Sequence, residues 1–332
     1  MLPERRIGLL GAGALGAVHA ANLTRIPGCR LQLVAASELS PTVVGLADRA
    51  GAEVVDPSAL LDPARIDVVI IATPTDTHAV LAGRAAELGL PVFLEKPATR
   101  TLAEAEALVA VAASTGARVA VGHVVRYFPE YAAAREMVVG GGLGVVQTAR
   151  LRRLNSGPAR SSSWYADPGR SGGVLLDMAI HDIDWVLWAF GPVGRVYGQR
   201  SGDDEHQVAS VTLRHRSGVI SYLDSSWREQ AFSTELEVTG TEGMYRTTGS
   251  ADAGFRATRR RSTPASYLPP SADQPVPDDP YLLELRAALD WFAGGPAPLA
   301  TLGDAVEALR VVEAAELSIA TGTPVDLVRA AA

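Results

Sequence analysis

Gly11-Ala12-Gly13-Ala14-Leu15-Gly16 stands directly after the apolar run 7–10 and opens an Ala-rich amphipathic segment at 14–23. In a G-x-G-x-x-G turn between strand and helix, the first glycine permits the tight turn. The second lets the backbone approach a pyrophosphate, and the third brings helix and strand close together. Backbone N–H groups and the positive end of the helix dipole then face the anion. Glu38 follows the second apolar run, 22 residues beyond Gly16, where a carboxylate would accept a ribose 2′-OH. The stretch therefore reads as a dinucleotide site. Glu38 would repel the extra phosphate of NADP, and neither Ser37 nor Leu39 offers a cation beside it, so NAD is expected and NADP is less favoured. Two plainer readings stand beside these: a glycine turn with no nucleotide, and Glu38 as an ordinary cap of the helix that starts near Pro41.

Outward from that turn, short apolar runs at 7–10, 31–36, 68–72, 92–94 and 119–121 alternate with helical patterns such as 14–23, 77–88 and 101–114. This alternation predicts right-handed βαβ units and a parallel sheet whose strands are buried on both faces. Past residue 140 the texture changes. A strand is predicted at 145–154, a helix at 175–190, and closely spaced alternating runs at 193–199, 207–214, 219–226 and 235–239. Such spacing suggests a mainly antiparallel sheet covered on one face. Residues 249–280 read as a long surface loop, and helices are expected at 281–293 and 303–321. The fold class is α/β: an N-terminal Rossmann doubly wound parallel sheet at 1–123, then a C-terminal α+β domain with a large open, mainly antiparallel sheet at 124–332.

The totals agree with two domains, since 332 residues exceed the typical ~100–150 of one. A net charge of −7 and a pI near 5.4 argue against a nucleic-acid partner. The basic run Arg259-Arg260-Arg261 lies in a Pro/Ser-rich stretch and reads as a solvated loop. A single cysteine, Cys29, excludes an internal disulfide framework and fits the cytoplasm. Arg5-Arg6 before an apolar run would also suit a twin-arginine signal, but cleavage after Ala20 or Ala21 would remove all three glycines. No apolar stretch reaches the ~20 residues of a membrane span. An apolar face of the second sheet would need covering, so a homodimer or homotetramer built on it is expected.

Three further motifs fall in order: Thr73-Pro74-Thr75-Asp76-Thr77-His78, Glu95-Lys96-Pro97, and the block Gly172-Gly173-Val174-Leu175-Leu176-Asp177-Met178-Ala179-Ile180-His181-Asp182-Ile183-Asp184. With them, with Val121-Gly122-His123-Val124-Val125-Arg126-Tyr127, and with the closing pattern Gly303-Asp304-Ala305…Ser318…Gly322, the chain resembles the Gfo/Idh/MocA family almost end to end. That family includes inositol dehydrogenases, glucose–fructose oxidoreductase and many sugar and polyol dehydrogenases. The resemblance implies a catalytic lysine at Lys96 and the family's Asp and His at Asp177 and His181. It further implies cofactor contacts from Thr73, Pro74, His78, Glu95 and Lys96, beside those of Gly11, Gly13, Ala14, Leu15, Gly16 and Glu38. His123 and Val124 depart from the family's usual Phe or Asn, which leaves the lining near the nicotinamide open. For His78, a surface place in the first helical turn is the other reading.

The residues support these roles chemically. Lys96 follows a strand ending at the carboxyl edge of the sheet, where open α/β sheets place ligands, and Pro97 biases it away from helix. Asp177 and His181, four apart, share a helix face, and a carboxylate beside an imidazole makes a general base. Asp184 is the other candidate for orienting that ring, and a purely structural His–Asp pair is the bland alternative. No matching second ligand cluster exists, so no metal is expected. Arg126, Asn155, Trp164 and Tyr165 are candidates to line a polyol site through guanidinium and amide hydrogen bonds and an apolar face, and each also suits a structural role. The expected reaction moves a hydride between the nicotinamide and a secondary alcohol of a cyclic polyol or sugar. Its alternatives are a redox-assisted glycosidase or lyase of the same family and a non-catalytic nucleotide sensor.

Overall fold

The computed structural model describes residues 4–36, 40–157, 164–203, 206–229, 231–249, 255–259 and 279–327. The chain divides into two compact units, Met1–Tyr127 with Asp278–Val306, and Phe128–Pro277 with Glu307–Ala332. A single cut between residues 123 and 124 does not describe that division, because a later segment returns to the first unit.

The first unit runs β1 (Arg5–Leu10), α1 (Ala14–Leu23), β2 (Cys29–Ala35), α2 (Pro41–Ala50), β3 (Glu53–Val54), α3 (Pro57–Leu60), β4 (Val68–Ile71), α4 (His78–Glu87), β5 (Val92–Glu95), α5 (Leu102–Thr115) and β6 (Val119–Gly122). Its strands lie parallel in the order β3-β2-β1-β4-β5-β6, the doubly wound arrangement that the alternation predicts. Every residue of β4, β5 and β6 is buried, which explains why these strands read as unbroken apolar runs. Local chemistry sets the helix ends. Ser40 caps α2 ahead of Pro41, and Thr101 and Glu104 form a reciprocal capping box at α5.

The second unit begins with α6 (Pro129–Val139), β7 (Val146–Leu154), α7 (Pro168–Ser171), a π-helical turn at Leu175–Ala179, and α8 (Ile180–Phe190). Then follow β8 (Val193–Ser201), β9 (Val208–His215), β10 (Ile220–Ser226), β11 (Ser233–Gly240), β12 (Gly243–Gly249) and β13 (Phe255–Arg259). The chain returns to the first unit with α9 (Pro280–Phe292), and α10 (Leu302–Thr321) leads to β14 (Val325–Asp326) in the second. Eight strands form the second sheet, in the order β13-β12-β11-β7-β10-β9-β8-β14. All its pairs are antiparallel except β7 with β10. On one face α10 comes so close to β8 that a side chain at Gly198 would sit 2.9 Å from the Ala315 carbonyl, and Ser318 accepts the Gly198 N–H.

The other face of this sheet is polar, not apolar as the oligomer argument assumed. Arg150, Arg152, Tyr222, Asp224 and Arg214 are exposed on it. Arg150 pairs with Glu237 at 3.2 Å and Arg152 with Glu235 at 3.6 Å, each directly across the β7–β11 ladder. Paired charges let such a face meet either water or a polar partner surface, so a contact built on it would be polar rather than apolar. Most of the loop expected at 249–280, Arg260 and Arg261 included, lies outside the described residues, and the part from 255 to 259 is strand β13. No helix among the described residues is long and apolar enough to cross a membrane.

α9 joins the first core. Leu282, Leu285, Ala288 and Leu289 pack in one cluster with Ile7, Leu9, Ala20 and Leu23. Arg5 donates to the Leu289 carbonyl, Arg118 to the Trp291 carbonyl, and Asn22 to Asp279.

Candidate functional site

In the first unit the glycine turn has the form its spacing predicts. A Cβ at Gly11, whose φ is +93°, would lie 2.4 Å from the Ala72 carbonyl, and one at Gly16 would lie 2.0 Å from the Gly11 carbonyl. Above Gly13 there is nothing within 4 Å. Gly13 and Ala14 are exposed and Leu15 is half-buried, so the first N–H groups of α1 are open to an anion. A nucleotide pyrophosphate fits such a cradle.

Beside it, at the carboxyl end of β2, lies a cleft of about 460 Å³ lined by Ala36, Val43, Val54, Val55, Asp56, Pro57 and Ala59. Apolar side chains beside polar backbone and one carboxylate, that of Asp56, suit an adenosine. Little in the sequence points to these residues, since β3 and α3 are too short to show a period. Glu38 falls on residues 37–39, outside the described residues.

Thr73 and Pro74 are half-buried after β4, and Thr77 Oγ1 lies 2.7 Å from both the Thr73 hydroxyl and the Pro74 carbonyl. Lys96 follows β5 and is half-buried between two fully buried runs, Val92 to Glu95 and Pro97 to Thr99. The Lys96–Pro97 peptide is cis. Two expected cofactor contacts turn inward instead. Glu95 is 4 % exposed and its carboxylate meets the ring of His19, Oε1 to Nε2, at 2.6 Å. His78 is 1 % exposed, so it is not the surface residue that the other reading made it. Its Nδ1 lies 2.8 Å from the Pro97 carbonyl and its Nε2 lies 2.9 Å from that of Thr73. His123 is fully buried.

Arg126 is also taken up structurally. It is 2 % exposed, donates to the Leu299 carbonyl and pairs with Asp304 at 3.2 Å, so its guanidinium anchors the first unit rather than offering a free donor to a polyol. The negative charge of Asp304 survives its burial because Arg126 and the Thr301 donors outweigh the desolvation, and its pKa ends below the ordinary aspartate value.

In the second unit, Gly172 and Gly173 carry the chain through two left-handed positions before the π-helical turn. Gln207 accepts the Val174 N–H at 3.0 Å and sits where a Cβ of Gly173 would be. From Val174 to Trp185 only Asp177 and His181 are not fully buried. The two therefore share the accessible face, as their spacing predicts, while Asp184 is buried. The π turn shifts the register just before α8, a distortion often found at functional sites.

Tyr165 donates its hydroxyl to Asp177 at 2.9 Å, and its ring lies 4.2 Å from that of Trp164. Asn155, half-buried at the end of β7, accepts the Ser156 N–H through its side-chain oxygen. The Arg153–Asp182 pair was not foreseen. It is buried and bidentate at 2.7 and 3.2 Å, and Arg153 also donates to the Tyr131 hydroxyl. Burial alone would lower the Arg153 guanidinium, but Asp182 outweighs it and the pKa ends above the ordinary arginine value. Among the described residues no group of three or more His, Cys, Asp or Glu could hold a metal ion.

Burial pushes the imidazoles of His78 and His215 below the usual histidine value, although carbonyl contacts pull each partly back. Their contribution to stability is whole above about pH 6.5 and declines as pH falls toward the lowered values, because the unfolded chain binds the proton first. The thermal midpoint is therefore expected to drop between about pH 7 and pH 5, and less steeply in H215Q. A midpoint constant over that range in the wild type would contradict this.

Comparison with known proteins agrees with both halves. Residues 5–123 match the model of the oxidoreductase family with an NAD-binding Rossmann fold, and residues 131–246 match that of the GFO/IDH/MocA C-terminal domain. The chain is 31% identical to inositol 2-dehydrogenase 2 of Paenarthrobacter aurescens, over 93% of this chain and 94% of that one. It is also 31% identical to the NAD(+)-dependent scyllo-inositol 2-dehydrogenase of Bacillus subtilis, over 97% and 96%. Among solved structures it resembles GenD2 from gentamicin A biosynthesis in complex with NAD, with a TM-score of 0.85, 27% identity and coverage of 99% and 98%.

Proposed function

The chain belongs to the Gfo/Idh/MocA oxidoreductases, NAD-binding enzymes, and from that premise we propose that it oxidises a secondary alcohol of a cyclic polyol or sugar, inositols foremost. One observation carries the assignment of roles. Of the 30 lysine and arginine residues, Lys96 is the only lysine, and it surfaces from an otherwise buried run at the carboxyl edge of the Rossmann sheet. Everywhere else this chain meets its need for positive charge with arginine. An amine at this one position offers what a guanidinium lacks, namely a compact charge that can give up a proton.

NAD, when bound, supplies the hydride acceptor. The glycine turn of Gly11, Gly13 and Gly16, with the N–H groups of Ala14 and Leu15, would hold its pyrophosphate. Thr73 and Pro74 would line its nicotinamide end. Glu38 would bind the ribose and disfavour NADP. His181 takes the hydroxyl proton while the carbinol hydrogen leaves as hydride, so the alcohol becomes a carbonyl. Lys96 stabilises the oxygen during this change. Asp177 holds the His181 ring and is itself held by the Tyr165 hydroxyl. Trp164 would offer an apolar face to the ring substrate and Asn155 its remaining amide donors. A cytoplasmic homodimer or homotetramer completes the reading.

The test is NADH formation from NAD, with NADP in parallel, over a panel of inositols, aldoses, sugar acids and simple glycosides. The expected result is turnover with an inositol or a cyclic sugar and preference for NAD. Aglycone release from a glycoside without net NADH would replace this reading with the redox-assisted glycosidase.

A further inference from the structure

We propose that His19 and His78 are positioning residues that clamp the Glu95-Lys96-Pro97 turn from its two sides and so fix the Lys96 ammonium; the functional consequence rests on the reading of Lys96 given above. On one side, His19 comes from α1, the helix that opens on the glycine turn. Its ring is fully buried and meets Glu95 Oε1 at 2.6 Å, while Glu95 Oε2 accepts the Lys96 backbone N–H at 3.2 Å. The ring is steered by an edge contact with Phe93 of β5, at 5.1 Å between centroids. Room for the carboxylate is left by Gly122, where a Cβ would come within 3.1 Å of Glu95 Oε2. On the other side, His78 stands at the head of α4 between the Pro97 and Thr73 carbonyls. One imidazole thus ties the turn to the helix of the glycine-rich motif, and the other ties it to the loop after β4.

Stability alone gives little reason for such an arrangement. Buried ionic or polar pairs are often matched or bettered by apolar residues of the same volume, and their known use is to select one geometry over others. A hydrogen-bonded network in a low-dielectric interior is stiff and directional, which a cluster of leucines is not. The flexible Lys96 side chain starts from its backbone, so fixing the turn fixes the point from which the amine reaches out. The clamp acts there, on the residues immediately before and after it.

Because Lys96 is the only lysine, reductive ¹³C-methylation places a label on its amine and on the chain's α-amino group alone. Its NMR cross-peak can therefore be followed with NAD as the added probe, in wild type, H19L, H78L and H19Q. A single Lys96 cross-peak that moves on adding NAD is expected in the wild type. In H19L and H78L it should split or broaden and lose that response, and in H19Q, whose amide still reaches Glu95, it should be largely restored. Turnover should fall by about 10²-fold in the two leucine variants, with NAD affinity by calorimetry little changed. If H19L fails to fold, H19N takes its place, because the shorter amide keeps polarity but cannot span the gap. Cross-peaks like the wild type's in folded variants of both histidines would overturn the clamp, as would a loss confined to NAD affinity. The K96M variant separates the two claims: full activity there removes the catalytic reading of Lys96, whatever the histidines do.

Discussion

K96R is expected to lose about 10³-fold in turnover while binding NAD as tightly as the wild type, and K96M is expected to lose at least as much. Elsewhere in this chain arginine meets every need for a cation, so K96R would suffice at position 96 if charge were all that mattered. Two properties separate the side chains. A guanidinium presents a planar fork of donors and keeps its proton at any working pH, whereas an ammonium is a point donor that can release one. Space is the second constraint. Lys96 is itself half-buried between buried Glu95 and buried Pro97, so the larger head of arginine has less room than it would in open solvent. The measurement is steady-state NADH formation with the best substrate of the panel, alongside calorimetry with NAD. K96R within tenfold of wild type would reduce Lys96 to a simple counter-charge.

Much of the first unit was legible because its signals are local. The α1 pattern at 14–23 matches the helix Ala14–Leu23, and the contiguous apolar runs are strands buried on both faces. Glycine spacing gave the nucleotide turn, since sterics at Gly11 and Gly16 leave no other residue possible. The partner of an amphipathic stripe is a different kind of information. The pattern at 281–293 gave a helix, but nothing in it says that Leu285 and Leu289 pack against Ile7 and Leu9, hundreds of residues earlier. Motif position likewise fixes where a side chain starts and not where it points. Glu95 ends β5 and His78 opens α4, both at the carboxyl edge of the sheet, yet both turn into the interior, and Arg126 turns to Asp304. One sign was available for Glu95: it closes an apolar strand, and a buried carboxylate needs a partner such as His19. The expected continuous helix at 175–190 hid the π turn, because one residue of shifted register hardly changes a hydrophobic period.

Removing one member of the Arg153–Asp182 pair is expected to have the largest effect on stability. R153M leaves Asp182, 1 % exposed, without its bidentate partner, and the Tyr131 hydroxyl loses a donor as well. Breaking a buried pair in this way costs about 3–5 kcal/mol, far beyond the ~1 kcal/mol typical of a point substitution. D182N should cost less than R153M, because its amide oxygen still accepts one Arg153 N–H, although the other contact becomes donor against donor. The double variant R153M/D182L should recover most of the loss, since the penalty arises from an unpaired charge and not from the missing attraction. Urea unfolding followed by near-ultraviolet circular dichroism reads this out, helped by Trp185, which is fully buried and packs edge-on to Tyr131 at 5.8 Å. The consequence reaches the accessible face of Asp177 and His181 as well. Asp182 points inward and His181, its neighbour, lies on the accessible face, so the pair with β7 sets the rotation of α8 about its axis. A double variant as unstable as R153M would show that the network holds the fold by geometry rather than by neutralising charge.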